Sequence, residues 1–166
     1  MENAQIENII NELHSMWYVE DLNKTYHPEE NVLVHCLQTM VNTKKVSSDP
    51  VLILASALHD IAKSNYKPYS VLHAHNGAKF LKENGVVNSE LIFLVEQHMR
   101  FHKFISGEMT RPTKVMEIAN SPMLRKQVIL HRSDCSAKER MHVVYYDFDI
   151  REKLIDEVKE LLRYVG

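Results

Sequence analysis

The sequence predicts an all-α fold, a compact single-domain bundle of about six to eight helices over residues 1–166. Three observations carry this. Apolar residues recur at spacings of three and four through most of the chain. Capping and stop residues, such as Asp49-Pro50 and Gly85, punctuate those stretches where helices should begin and end. No repeat, low-complexity tract or linker interrupts the 166 residues, a length that supports one hydrophobic core and little of a second.

Residues 4–17 place Ile6, Ile9, Ile10, Leu13 and Met16 on one helical face. Trp17, Tyr18 and Leu22 follow in a looser segment that ends around Thr25. Pro28 with Glu29 and Glu30 has the signature of a helix start, since proline fits the first turn and acids there complement the dipole. His27 would fix that turn. The helix continues through Val32, Leu33, His35, Cys36, Met40 and Val41 to about Lys45. Ser48-Asp49-Pro50 is a stop followed by a start, with Asp49 as cap and Pro50 in the first turn. Residues 51–62 are apolar on nearly every side, which suits a central buried helix. The run 51–58 also suits a buried strand, and periodicity does not decide; Ala55, Ala57, Ala62 and the Asp-Pro start favour helix.

Residues 64–69 read as a polar turn around Pro68. Ser70 can cap a helix that runs to Asn84, with Gly85 as its stop. Ser89 begins the next helix, whose periodic face holds Leu91, Ile92, Leu94, Val95 and His98. Residues 106–112 are the most loop-like stretch. A short helix over 113–119 follows, and Ser121-Pro122 starts a longer one containing Val128, Ile129, His131 and Asp134. The last helix, about 148–164, sets Ile150, Leu154, Ile155, Val158, Leu161 and Leu162 on one face, with Glu and Lys on the other. The amphipathic end helices could supply a homodimer face.

Composition bounds the function. Apolar residues make up 45% and charged residues 25%, as in ordinary soluble domains. The 20 basic and 22 acidic side chains give a formal charge of -2, which argues against extended nucleic-acid binding. No stretch approaches a membrane span, and the start MENAQIENII lacks the features of a secretory leader. Cys36 and Cys135 cannot build a disulfide framework. The expectation is a reduced, cytoplasmic protein with no membrane partner. Ten histidines are a surplus, and histidine is the commonest metal ligand.

Those histidines are placed unevenly. His35 sits inside one helix, His59 and Asp60 are adjacent near the end of the apolar one, and Asp134 falls inside an otherwise apolar-periodic helix. These four groups could converge on one divalent ion, and nitrogen and oxygen ligands without thiolate fit Mn, Fe, Co, Ni, Zn or Mg. His73 and His98 could complete a second metal site or face a substrate. The plainer alternatives are hydrogen-bonded core histidines and a carboxylate paired with lysine or arginine, such as Asp134 with Arg132 or Lys138. Cys36 and Cys135 neighbour His35 and Asp134, but adjacent helix positions diverge by about 100°, so both should miss the metal and act as small buried fillers.

The run ALHDIAK at 57–63 resembles the motif of the HD-domain metal-dependent phosphohydrolases. YHPEENVLVHCLQTM at 26–40, HAHNGAKFL at 73–81, EQHMRFH at 96–102 and LHRSDCSAK at 130–138 extend the likeness in order, over most of residues 26–138. The wider pattern is similar to the HD domain attached to bacterial CCA-adding tRNA nucleotidyltransferases and related poly(A) polymerases. The resemblance implies that His35, His59, Asp60 and Asp134 hold the metal, and that His73 and His98 serve a second ion or face the phosphate. His75, His102 and His131 are neighbours that could take such a role, with His75 ranked lowest because it points to another helix face than His73. Lys63, one turn after His59, could hold a phosphate oxygen, and Arg100 and Arg132 are weaker candidates for that task.

There are departures. Ala62 replaces the glycine of the common HDIGK string. No Gly-Ser with paired catalytic aspartates precedes the match, so nucleotide addition is not expected. The expected activity is hydrolysis of a small phosphorylated molecule, nucleotide-like, as a phosphomonoesterase or phosphodiesterase with one or two divalent ions. The resembled branch implies phosphomonoesters, 2'-nucleotides or 2',3'-cyclic nucleotides. The competing expectation is a non-catalytic, metal-containing HD domain that binds a nucleotide or a partner protein. Tyr145, Tyr146 and Phe148 would pack near the last helix or stack on a base.

Overall fold

The computed structural model describes residues 1–19, 31–63, 72–138, 144 and 147–166. Among these the regular structure is helical, as the periodicity predicts. Helix α1 (Asn3–Ser15) opens with a capping box between Glu2 and Gln5 and buries Ile6, Ile9, Ile10 and Leu13; a 3-10 turn, Met16–Tyr18, follows it.

Helix α2 (Val32–Lys44) starts later than the Pro28 signal suggests. Asn31 is the cap: its side-chain oxygen accepts from the Val34 amide, and its amide group donates to the Trp17 carbonyl. The signals at 22–25, His27 and 28–30 lie outside the described residues, as do Pro68, Ser70, Tyr145 and Tyr146.

Helix α3 (Pro50–Leu58) is capped by Asp49, whose carboxylate accepts from the amides of Val51 and Leu52. It is a helix and not a strand, and residues 52–58 are all buried. It ends at Leu58, short of Ala62. The Ser56 hydroxyl donates back to Leu52, and the His59 ring donates to the Ser56 carbonyl at 2.9 Å. The chain then tightens into a second 3-10 turn, Ile61–Lys63.

Helix α4 (His73–Glu83) starts after Leu72 without a side-chain cap and ends at Gly85, which has a φ of 82°. Helix α5 (Ser89–Ile105) is capped by Asn88. Helices α6 (Pro112–Ala119), α7 (Leu124–Ser136) and α8 (Phe148–Val165) follow among the described residues, with Asp147 capping α8.

The central helix α3 packs on α2, α5, α7 and α8. A buried hydrogen bond of 2.7 Å between Thr43 and Ser56 joins α2 to α3, and Asn42 donates to the Ser133 carbonyl to join α2 to α7. A Cβ on Gly77 would sit in ordinary contact with Val95 and Ile61, at 3.4 and 3.5 Å, where α4 packs on α5 and the second 3-10 turn. No helix among the described residues is long and apolar enough to cross a membrane.

Lys126 on α7 reaches Asp49 at 2.6 Å and also pairs with Glu90, tying the starts of α3 and α5 together. Burial pushes the Asp49 carboxyl up, but Lys126 and the two capped amides outweigh it and hold it below its ordinary value. Asp49→Ala should therefore cost about 1 kcal/mol at neutral pH, the usual worth of a cap. The contribution is present above the unfolded carboxyl's pKa of about 4 and is lost as pH falls through the lower folded value. Urea unfolding of both proteins should show the difference at pH 7 and its disappearance in acid; equal midpoints at pH 7 would count against it.

Candidate metal centre

The break after α3 sets His59 and Asp60 at the middle of the bundle. His35 comes from α2, His73 from α4, His98 from α5 and Asp134 from α7, and all six side chains are buried. His35 Nε2 lies 3.0 Å from Asp134 Oδ1 and 4.0 Å from Asp60 Oδ2. His59 Nε2 lies 3.4 Å from Asp60 Oδ2. On the other side of Asp60, Oδ1 is 3.1 Å from His73 Nε2 and 3.5 Å from His98 Nε2. Two groups of ligand atoms result, each lying mutually within 4.8 Å: His35, His59 and Asp134, and Asp60, His73 and His98.

Backbone carbonyls fix two of these rings. His59 Nδ1 donates to the Ser56 carbonyl, and His98 Nδ1 donates to the Val95 carbonyl at 2.7 Å. A neutral ring whose Nδ1 proton is committed in this way presents a lone pair at Nε2. Those lone pairs face carboxylate oxygens, which are acceptors too. Acceptors that meet in a dry pocket need a proton or a cation between them. The donor set of imidazoles and carboxylates therefore suits a divalent ion, and backbone-anchored histidines are how proteins orient such ligands.

Lys63 is the ammonium already present. Its Nζ is 2.8 Å from Asp60 Oδ2, so it offsets one of the two buried carboxylate charges. Burial pushes the Asp60 carboxyl up, but the Lys63 ammonium above all holds it well below the carboxylate range. Burial acts on Asp134 in the same way and is outweighed by His102 and His35. Burial lowers His59 to about 3, so this ring is neutral at physiological pH, the form that binds metals.

The remaining sequence candidates separate. Arg100 does not reach the cluster: its guanidinium makes a two-pronged pair with Glu117 on α6, at 3.2 and 2.8 Å. Arg132 is exposed on α7, and no hydrogen bond or ion pair joins it to the cluster. Lys138 stands 3.9 Å from Asp134 Oδ1. His75 is exposed and pairs with Glu96. Phe148 is exposed, with the Arg151 guanidinium 5.7 Å over its ring. Cys36 is buried as expected, but its Sγ comes within 4.8 Å of ligand atoms of His59 and Asp60, closer than the helical angle suggests. Burial keeps that thiol protonated. Cys135 is exposed and not a buried filler.

His102 is the contact that sequence reading did not assign. Its Nε2 lies 2.5 Å from Asp134 Oδ2. The available signal was its i,i+4 spacing from His98 on α5, which puts both rings on one side of that helix.

A protein-family model described as HD domain matches residues 32–137, the greater part of the chain and the stretch that carries every residue of the cluster. No curated protein matches the chain.

Acid stability of the metal-free protein follows from His59. Its folded pKa lies below the unfolded value, so the unfolded state binds more protons between about pH 6.5 and 3, and stability falls with pH through that window. At pH 5 the loss relative to pH 7 is on the order of 2 kcal/mol at most. Thermal melts of chelator-treated protein should show this slope, and His59→Gln should flatten it. A wild-type melting temperature that does not change between pH 7 and 5 would contradict the buried neutral ring.

Proposed function

The chain belongs to the HD-domain family, and from that premise we propose that it is a divalent-metal-dependent phosphohydrolase acting on a small, nucleotide-like phosphoester. The supporting observation is the pair of backbone-locked rings, His59 and His98, whose Nε2 atoms face the Asp60 carboxylate. In this reading His35, His59, Asp60 and Asp134 hold the ion. His73 and His98 serve a second ion or the substrate phosphate.

A divalent ion held there would supply Lewis-acid chemistry, activating water and offsetting charge on the phosphoryl oxygens. The chain's own residues do the rest. The Ser56 and Val95 carbonyls keep His59 and His98 in the ligand tautomer. Asp60 or Asp134, held ionised by its neighbours, orients the attacking water through a carboxylate oxygen. Lys63, seated beside Asp60 one turn after His59, would present its ammonium to a phosphate oxygen, where it opposes charge that grows in the transition state. Ala62 in place of glycine adds one methyl beside this path and removes no ligand. The likeness of the motif stretches to the HD domain of CCA-adding enzymes narrows the substrate class to phosphomonoesters, 2'-nucleotides and 2',3'-cyclic nucleotides.

A second reading rests on the burial of all six side chains together with Lys63 seated on Asp60. These features suit a closed ionic or metal centre that holds the bundle together around a nucleotide or protein partner. The two readings differ in turnover. Under the first, purified protein releases phosphate or opens a cyclic ester in a panel run with Mn, Fe, Co, Ni, Zn and Mg. Asp60→Ala then loses metal content and activity together, at least about a hundredfold, the upper end of what an outer-shell partner costs. Turnover that persists in Asp60→Ala would sink the catalytic assignment, and bound metal without turnover on any ester would favour the closed centre.

A further inference from the structure

Beside the central cluster, three side chains outside the proposed ligand set come together at the surface. His102 projects from α5, and His131 and Cys135 stand one turn apart on α7. Each offers a ligand atom within 4.8 Å of the other two. Cys135 Sγ lies 3.7 Å from His131 Nε2. That is close to the roughly 3.5 Å edge of a tetrahedron built on ordinary zinc–nitrogen and zinc–sulfur bonds. The two imidazole rings meet edge-on with centroids 4.3 Å apart. Cys135 is exposed, so an ion can arrive from solvent.

We propose that His102, His131 and Cys135 form a separate site for a thiophilic divalent cation of the zinc class. The donor chemistry distinguishes it from the central cluster, whose proposed ligands are nitrogen and oxygen alone. A thiolate favours zinc, cobalt or cadmium over magnesium or manganese. Binding releases the Cys135 thiol proton to solvent and leaves the fourth position of a tetrahedron to water. Asp134 lies between the two sites, with Oδ1 on His35 and Oδ2 on His102, so its carboxylate links them. The site stands whether or not the chain is a hydrolase.

Cobalt(II) reads the proposal directly, because a thiolate ligand gives a near-ultraviolet charge-transfer band that nitrogen and oxygen ligands do not. The full chain, with thiols kept reduced, should develop this band on titration with cobalt(II) and lose it when zinc(II) is added. Cys135→Ser should abolish the band without altering helical circular dichroism, since the side chain is exposed. Cys36→Ala should retain it. His131→Ala, which leaves the thiol in place, should weaken it. Absence of the band in the wild type at saturating cobalt, or its survival in Cys135→Ser, would overturn the assignment.

Discussion

Two carboxylates, Asp60 and Asp134, are buried at the centre of a helical bundle among four imidazoles, and that placement constrains the structure around it. An ionised acid in a dry core is stable only where charge and hydrogen bonds meet it. Lys63, His73 and His98 surround one carboxylate, and His35 and His102 meet the other. Those partners come from α2, α4, α5 and the turn after α3. The helices therefore cannot slide past one another without exposing or orphaning a charge. The same arrangement suits a metal ion, because rings anchored on backbone carbonyls turn acceptors toward carboxylate oxygens, a set that a cation can bridge.

Local structure makes this possible at one point above all. Had α3 continued to Ala62, Asp60 would be one more residue on a helix whose other faces are greasy. The chain instead leaves the helix after Leu58 and tightens into the turn that follows, which brings two adjacent ligands, His59 and Asp60, to the centre of the bundle. Helix α4 packs on α5 and on the second 3-10 turn, which brings His73 into contact with both Asp60 and His98. Apolar packing by α1 and α8 secures the far side of α3 and α2 and contributes nothing polar to the centre.

Much of this was legible in the chain. Asp49-Pro50, Gly85 and the three-and-four spacing of leucines and isoleucines are local signals, and local physics honours them. The convergence of His35, His59, Asp60, His73, His98 and Asp134 was legible only because the order of motifs resembles a known family; spacing alone left core histidines and ion pairs as rivals. Other features depend on contacts that no local pattern encodes. Asn31 caps α2 because it also binds the Trp17 carbonyl, a partner fourteen residues away. The end of α3 at Leu58 falls inside an apolar run with no proline or glycine to signal it. Arg100 lies within a matched motif, yet Glu117 on a neighbouring helix draws it outward. Cys135 looked like a filler because its helix face depends on what α5 places opposite it.

The account rests on a divalent cation belonging between His35, His59 and Asp134. Crystals of the full chain grown with manganese(II) would test this through anomalous scattering. The account predicts a peak within bonding distance of His35 Nε2, His59 Nε2 and an Asp134 oxygen, with Lys63 moved off Asp60. A cluster with no peak at that point, and the Lys63 ammonium still seated on Asp60, would contradict it.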